Sequence, residues 1–358
     1  NEAASTFASY TVTNGAGWVG TLKVLDNVTA YKMKVAVAQS LPVNGPAVDV
    51  NKTSITLKGN PTWSYISYLP PFNATLKDAL TNYTAGDGDV IKSQTGFAMF
   101  SSSANAWIGS LTYMEPGKGY MFLRKATTTA TFKYPTITGS LQGGRVIEGA
   151  AATAEQRPVP ANFTHADNMT VIAVVAPGFD LKAGDSIVAY VNGEVRGKAK
   201  PILNPEINKY TWFFTIAGDA EQAIVFIVER GGSVVAQSST VVNYGSNRVV
   251  GTLSKPLELQ FVKLADLVTV NPNPFNQQTT INVDLSRLTG SNEQVIQLSV
   301  FDVTGRTVWG MPLQKISGLK YTATWNGKNH AGAVCSSGVY IVQVAINGVP
   351  YSYKLIKQ

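Results

Sequence analysis

Short alternating runs cut by tight turns set the strongest limit on what this chain can fold into. Over residues 270–358 apolar and polar side chains alternate, and each run stops at a turn signal. Asn326-Gly327 and Asn347-Gly348 are two such turns; Asp302-Val303-Thr304-Gly305-Arg306 is a third, with Gly305 free to take a positive φ. Period-two alternation puts one face of an extended segment in a core and the other in water, whereas a helix spreads the same residues around its axis. Runs at 280–285, 294–302, 307–311, 321–325, 339–346 and 351–356 therefore predict strands. About seven short strands in about 88 residues make an immunoglobulin-like sandwich. Val-Asn-Pro-Asn-Pro-Phe-Asn, 270–276, leads in as a stiff extended stretch, because each proline pushes the residue before it away from helix.

The same grammar runs upstream. Residues 169–174 form a continuous apolar strand, and 186–191 and 194–199 flank Asn192-Gly193 as a hairpin. Further strands at 210–216, 223–228 and 233–242 complete a second sandwich. Before it, Trp18-Val19-Gly20-Thr21-Leu22 recurs as Trp107-Ile108-Gly109-Ser110-Leu111, and Tyr31 and Met33 recur as Tyr120 and Phe122. Similar residues in one order mark an internal repeat, with copies near 7–33 and 97–122. Only the second copy carries its upstream half. There 48–57 predicts a strand, 63–69 a second, and Thr75 caps one short helix through Leu76, Ala79, Leu80 and Tyr83. The first copy starts inside its repeat, so the full protein is expected to extend further N-terminally. Turn chemistry at 139–144 and an Ala-rich stretch with two prolines at 149–160 place a boundary there. The expected organisation is all-β, with tandem β-sandwich modules at 1–140, 141–268 and 269–358, the last immunoglobulin-like, and one short helix in the first.

Charged residues make up only 14% of the chain, which suits β-rich extracellular modules better than a helical cytosolic enzyme. A net charge of +7 comes without any Lys/Arg block, which argues against nucleic-acid binding. A single cysteine, Cys335, rules out an intrachain disulfide, so sheet cores must supply the stability. No apolar run of about 18 residues predicts a transmembrane helix.

Chemistry-bearing clusters are few. The only histidines, His165 and His330, fall in different modules, and Cys335 near His330 has no evident third group to orient a nucleophile. No catalytic residues and no cofactor are expected, and the chain is read as non-enzymatic. Asp87 and Asp89 flank a glycine and form a weak metal candidate that lacks the other ligands of a calcium loop. Trp63 and Trp107 are ligand-binding candidates, since aromatic faces stack on sugars; the repetition of Trp18 as Trp107 favours duplicated cores instead.

Asn-Pro-Phe-Asn at 273–276, Phe-Asp-Val-Thr-Gly-Arg at 301–306, Trp-Asn-Gly at 325–327, Ser-Gly-Val-Tyr at 337–340 and Lys-Leu-Ile-Lys at 354–357 carry a resemblance. Together they resemble the C-terminal sorting domain of type IX secretion cargo in Bacteroidetes, and are similar to the Ig-like domain of flagellar hook-capping proteins. The middle segment looks like uncharacterised β-modules of surface proteins. The resemblance implies recognition by outer-membrane secretion machinery after passage through the periplasm. It also implies a sortase-like protease that joins cargo to anionic lipopolysaccharide. Carried over, the recognition positions are Gly338, Tyr340, Gly348, Lys354 and Lys357; the final residue, Gln358, departs from the family's basic end. The expected function is a non-catalytic secreted or cell-surface protein whose last module is a sorting signal and whose upstream modules are spacers or adhesive domains. The alternatives are a carbohydrate- or host-protein-binding adhesin with its site on the first module, and the accessory tail of an enzyme whose catalytic domain lies outside this chain.

Overall fold

The computed structural model describes residues 7–11, 17–35, 46–137, 165, 167–288, 296–346 and 348–358. The expected boundary at 139–160 lies outside them. Nearly all the regular structure is β, in several sheets of tandem sandwich type. The described residues fall into two compact units. One holds those up to 137 with Ile202–Lys209 and Thr252–Ser254; the other holds 165–201, Tyr210–Gly251 and Lys255–Gln358.

In the first unit the antiparallel order is Ser64–Ser67, Gly119–Leu123, Val90–Lys92, Phe97–Ser101, Ala106–Gly109. Leu57, Ile66, Leu76, Ile91, Phe122 and Tyr134 are buried in its core. The expected helix is one turn, Leu76–Ala79, and Thr75 Oγ1 accepts from Asp78 N–H at 3.1 Å. The strand expected over 48–57 is shortened to Ile55–Leu57, because Asp49 turns the chain first: its carboxylate accepts from Asn51 N–H at 3.0 Å.

The repeat is structural as well as sequential. Ala8–Thr11 pairs with Gly17–Gly20 as Phe97–Ser101 pairs with Ala106–Gly109. Tyr10 stands opposite Trp18 with rings 5.5 Å apart, and Phe100 opposite Trp107 at 5.3 Å. Gly20 and Gly109 do the same job. At φ +149 and +157, a Cβ on either would lie 2.2 Å from the carbonyl oxygen of Phe7 or Phe97.

The second unit begins as a sandwich. One sheet has Asp167–Val175 at its centre, antiparallel to Lys209–Gly218 and parallel to Val249–Val250 and Leu257–Leu259. The other runs Glu194–Ala199, Ser186–Val191, Ala223–Arg230, Ser233–Ser238, Phe261–Lys263. Met169, Val171, Phe214, Phe226 and Val228 fill the space between them. Asn192 and Gly193 take φ +49 and +79, the geometry a two-residue hairpin turn requires.

From Lys263 the chain enters a second one-turn helix, Leu264–Leu267, which the alternation pattern does not anticipate. Leu264 and Leu267 are buried, so this turn works as a plug. Two four-stranded antiparallel sheets follow. One is Val268–Asn271, Thr279–Asp284, Lys320–Trp325, Gln314–Ser317; the other is Thr307–Pro312, Ile296–Asp302, Gly338–Ile346, Val349–Lys357. Ile281, Val283, Val300, Trp325, Val342, Val344 and Leu355 form the core between them. Gly305 takes φ +84 at the expected hairpin.

Candidate functional site

The motifs at 273–276, 325–327, 337–340 and 354–357 are scattered along the sequence, and the fold gathers them at the terminal strand, Val349–Lys357; the one at 301–306 lies on Ile296–Asp302 and its hairpin, one strand away. Its inner edge pairs with Gly338–Ile346, in a register that sets Gly338 against Lys357 and Tyr340 against Leu355. Its outer edge is taken by the proline-led stretch. Asn273 uses its side-chain amide as a strand would use its backbone: Nδ2 donates to Lys354 O at 2.8 Å, and Oδ1 accepts from Ile356 N–H at 2.9 Å. Phe275 N–H then donates to Ile356 O at 3.0 Å, and Phe275 O accepts from Gln358 N–H at 2.8 Å. The prolines suit this role, since a residue that makes side-chain contacts along an edge need not offer an N–H of its own.

Behind the strand, aromatic packing locks the motifs together. Trp325 is fully buried, with ring centroids 5.4 Å from Phe275, 6.2 Å from Trp309 and 5.2 Å from Tyr340. Its Nε1–H donates to Lys328 O at 2.8 Å, so the one polar atom of the ring is satisfied. Gly327, at φ +70, leaves room for the Lys357 stem: a Cβ there would sit 2.8 Å from Lys357 Cε. Tyr340 donates to Ser336 O at 2.7 Å, and burial, followed by the neighbouring Cys335, pushes its hydroxyl pKa up. Asp302 caps its hairpin by accepting from Thr304 Oγ1 at 2.6 Å and Arg306 Nε at 3.0 Å; the Thr304 bond comes first among the causes that hold its carboxyl below the usual range.

Of the five expected recognition positions, Gly338, Gly348 and Lys354 are exposed, while Tyr340 and Lys357 are buried. Only the first three are open to solvent. Asn273 and Phe275 belong to the motifs that carry the resemblance but are not among the expected recognition positions. Their direct hold on the last strand becomes visible only once residues some eighty positions apart are brought side by side.

The other candidates divide. Asp89 is buried and accepts from Tyr83 Oη at 2.6 Å, Gly86 N–H at 2.9 Å and Lys125 N–H at 2.6 Å. Asp87 accepts instead from Ser102 N–H at 2.8 Å and Ser102 Oγ at 3.0 Å. Each carboxylate thus ties down its own loop. Trp63 is half-buried with Lys92 Nζ 4.8 Å from its ring centre, and Trp107 is half-buried between Phe100 and Phe122. His165 Nδ1 meets the Asp219 carboxylate, and His330 N–H donates to Val308 O at 3.0 Å. Among the described residues, no group of three or more His, Cys, Asp or Glu could hold a metal ion, and no helix is long and apolar enough to cross a membrane.

Two facing sheets with a laced terminal strand define a compact β-module, and comparison with known proteins says which one. Residues 269–358 match the family model of the secretion system C-terminal sorting domain. The last module is therefore a type IX sorting domain, and the chain is a protein exported to the cell surface or the medium. No curated protein matches the chain. Among solved structures it is similar to dimeric latent PorU from Porphyromonas gingivalis, at 12% identity and a TM-score of 0.22, covering 75% of this chain and 29% of that one. It is also similar to PorZ, a bacterial surface component of the type IX secretion system of Porphyromonas gingivalis, at 11% identity and a TM-score of 0.20, covering 99% of this chain and 50% of that one. The chain thus spans half or less of either structure, and at those TM-scores the likenesses carry no argument.

Proposed function

We propose that the chain is a non-catalytic part of a secreted or surface-attached protein, in which residues 269–358 are read by outer-membrane secretion machinery. The segments 1–140 and 141–268 act as spacer or adhesive modules. The observation that carries this reading is the sorting-domain match at 269–358, in which the motifs at 273–276, 325–327 and 337–340 meet the one at 354–357 on the terminal strand. With both edges of that strand's last residues occupied, the machinery reads exposed side chains and loops, Gly338, Gly348 and Lys354, rather than adding a strand of its own. Tyr340 and Lys357 hold that surface in shape.

The test uses the whole chain carrying a fluorescent reporter at its N-terminus in a type IX-competent cell. Surface or extracellular fluorescence is expected, with retention in the periplasm when 349–358 is deleted. Export that survives the deletion would sink the proposal.

A second reading, an adhesin, is supported by one feature. The T-shaped pair Tyr10–Trp18 is 56% and 67% exposed, unlike its copy at Phe100–Trp107, and an open aromatic pair of this kind can stack on a sugar face. Binding on a glycan array that is lost in Trp18→Ala would support it; an array silent for the unaltered chain would remove it.

A further inference from the structure

The middle sandwich and the sorting module share a core. The sheet containing Ser186–Val191 and Ala223–Arg230 is buried on both faces. Ile187, Ala189, Phe226, Val228 and Ala236 point into the middle core. Val188 and Ile227, one residue out of phase, belong instead to the core of the last module, and Tyr190, Val225, Val234 and Val262 pack against that core beside them. Continuous apolar runs, Ile-Val-Ala-Tyr-Val at 187–191 and Ala-Ile-Val-Phe-Ile-Val at 223–228, are what a strand with no solvent face requires.

Polar and backbone contacts close the same seam. Tyr351 donates its hydroxyl to Gln237 Oε1, and both residues are buried. Tyr353 Oη donates to Leu264 O at 3.3 Å. The turns at Gly193 and Gly348 meet backbone to backbone: a Cβ on Gly193 would lie 2.8 Å from Gly348 O, and one on Gly348 would lie 2.8 Å from Gly193 Cα. Nor does a linker separate the modules. The chain leaves the middle sheet at Lys263, turns once through buried Leu264 and Leu267, and enters the last sheet at buried Val268. Domain boundaries and proteolytic nicks concentrate in exposed stretches that few contacts cross. This junction is the opposite.

We propose that the middle segment and the sorting module form one export unit, delivered intact, so that residues 269–358 remain part of the mature protein instead of being cut away at the junction. This rests on the sorting reading and adds its fate after export. Removal of the module would leave Val188 and Ile227 in water and Gln237 without the Tyr351 hydroxyl. The released module would in turn uncover Tyr351 and Tyr353.

The test is to express the full chain in a type IX-competent cell and take the intact mass and C-terminal peptides of the surface and medium fractions. The expected result is a delivered protein from which a peptide ending at Gln358 is recovered. A delivered protein that has lost everything after the junction overturns this inference and leaves the sorting reading standing. A chain that never leaves the periplasm overturns both. In parallel, limited proteolysis of the purified chain is expected to leave the stretch from Phe261 to Phe275 uncut. Its early cleavage into two stable fragments would overturn the shared unit.

Discussion

Tyr351→Phe tests whether the seam is energetically real. The substitution keeps the ring and removes one oxygen, so it opens almost no cavity. What it does remove is the donor to Gln237 Oε1, at a place where both residues are shielded from water. A buried acceptor stripped of its partner costs about 1–3 kcal/mol. For a unit of roughly 190 residues that corresponds to a Tm lowered by roughly 3–10 °C. The assay is calorimetry together with urea unfolding followed by fluorescence, with Trp212 reporting the middle sandwich and Trp309 and Trp325 the last module. A shared core predicts one transition seen alike by all three tryptophans, and the variant should move it as a whole. Gln237→Met should cost a similar amount alone. The double variant should cost less than the sum, since neither polar group is then left stranded. Two transitions, with Tyr351→Phe shifting only the later-module signal, or strict additivity in the double variant, would refute the reasoning.

Four further outcomes follow from local geometry. Asn273→Ala removes two bonds to the terminal strand and should cost about 1–3 kcal/mol in urea unfolding, while faster amide exchange at Ile356 reports the freed edge. Asp89→Ala strips three donors of a buried acceptor and should lower the stability of the first unit by roughly 3 kcal/mol or more; Asp89→Asn, which keeps an oxygen, should cost less in the same thermal melt. Gly109→Ala should destabilise by about 2 kcal/mol or more, because its Cβ meets the Phe97 carbonyl in a buried five-stranded sheet, whereas Gly20→Ala should leave the main melting transition in place. Asp185 pairs bidentately with Arg230 at 2.7 and 2.8 Å, and that pairing is the first cause holding its carboxyl below the usual value. Its contribution is therefore present above the unfolded-state pKa of about 4 and lost as pH falls through the lower folded value; Asp185→Asn should flatten that part of the stability–pH curve.

Much of the fold was legible because strands and turns are local. The hairpins at Asn192-Gly193 and Gly305, the Thr75 cap and the duplicated Trp-x-Gly segment each need only neighbouring residues to declare themselves, although the hairpin pairing within each copy is seen only in the structure. Where the reading failed, a side chain outbid local propensity. Asp49 bent a stretch that looked extended, and Leu264 and Leu267 made a helical plug in what alternation treats as a passage between modules. The candidate site was legible as a set of motifs and not as a place. Nothing in the spacing of Asn273, Trp325, Gly338 and Lys357 says that they meet.

The sequence by itself determined an all-β chain, its turns, its internal repeat, and a last module carrying the address of an exported protein. These rest on period-two patterning and short motifs, which act within a few residues. Tertiary structure alone decided that Asn273 and Phe275 lace the terminal strand, that Tyr340 and Lys357 are buried while Gly338, Gly348 and Lys354 face outward, and that the address shares a core with its neighbour. The physical reason is the same in each case. Burial and strand-edge pairing depend on which surfaces the folded chain brings together, and for Val188 and Ile227 the second apolar face of the sheet was written in the strand, while its partner was supplied by the core of the last module.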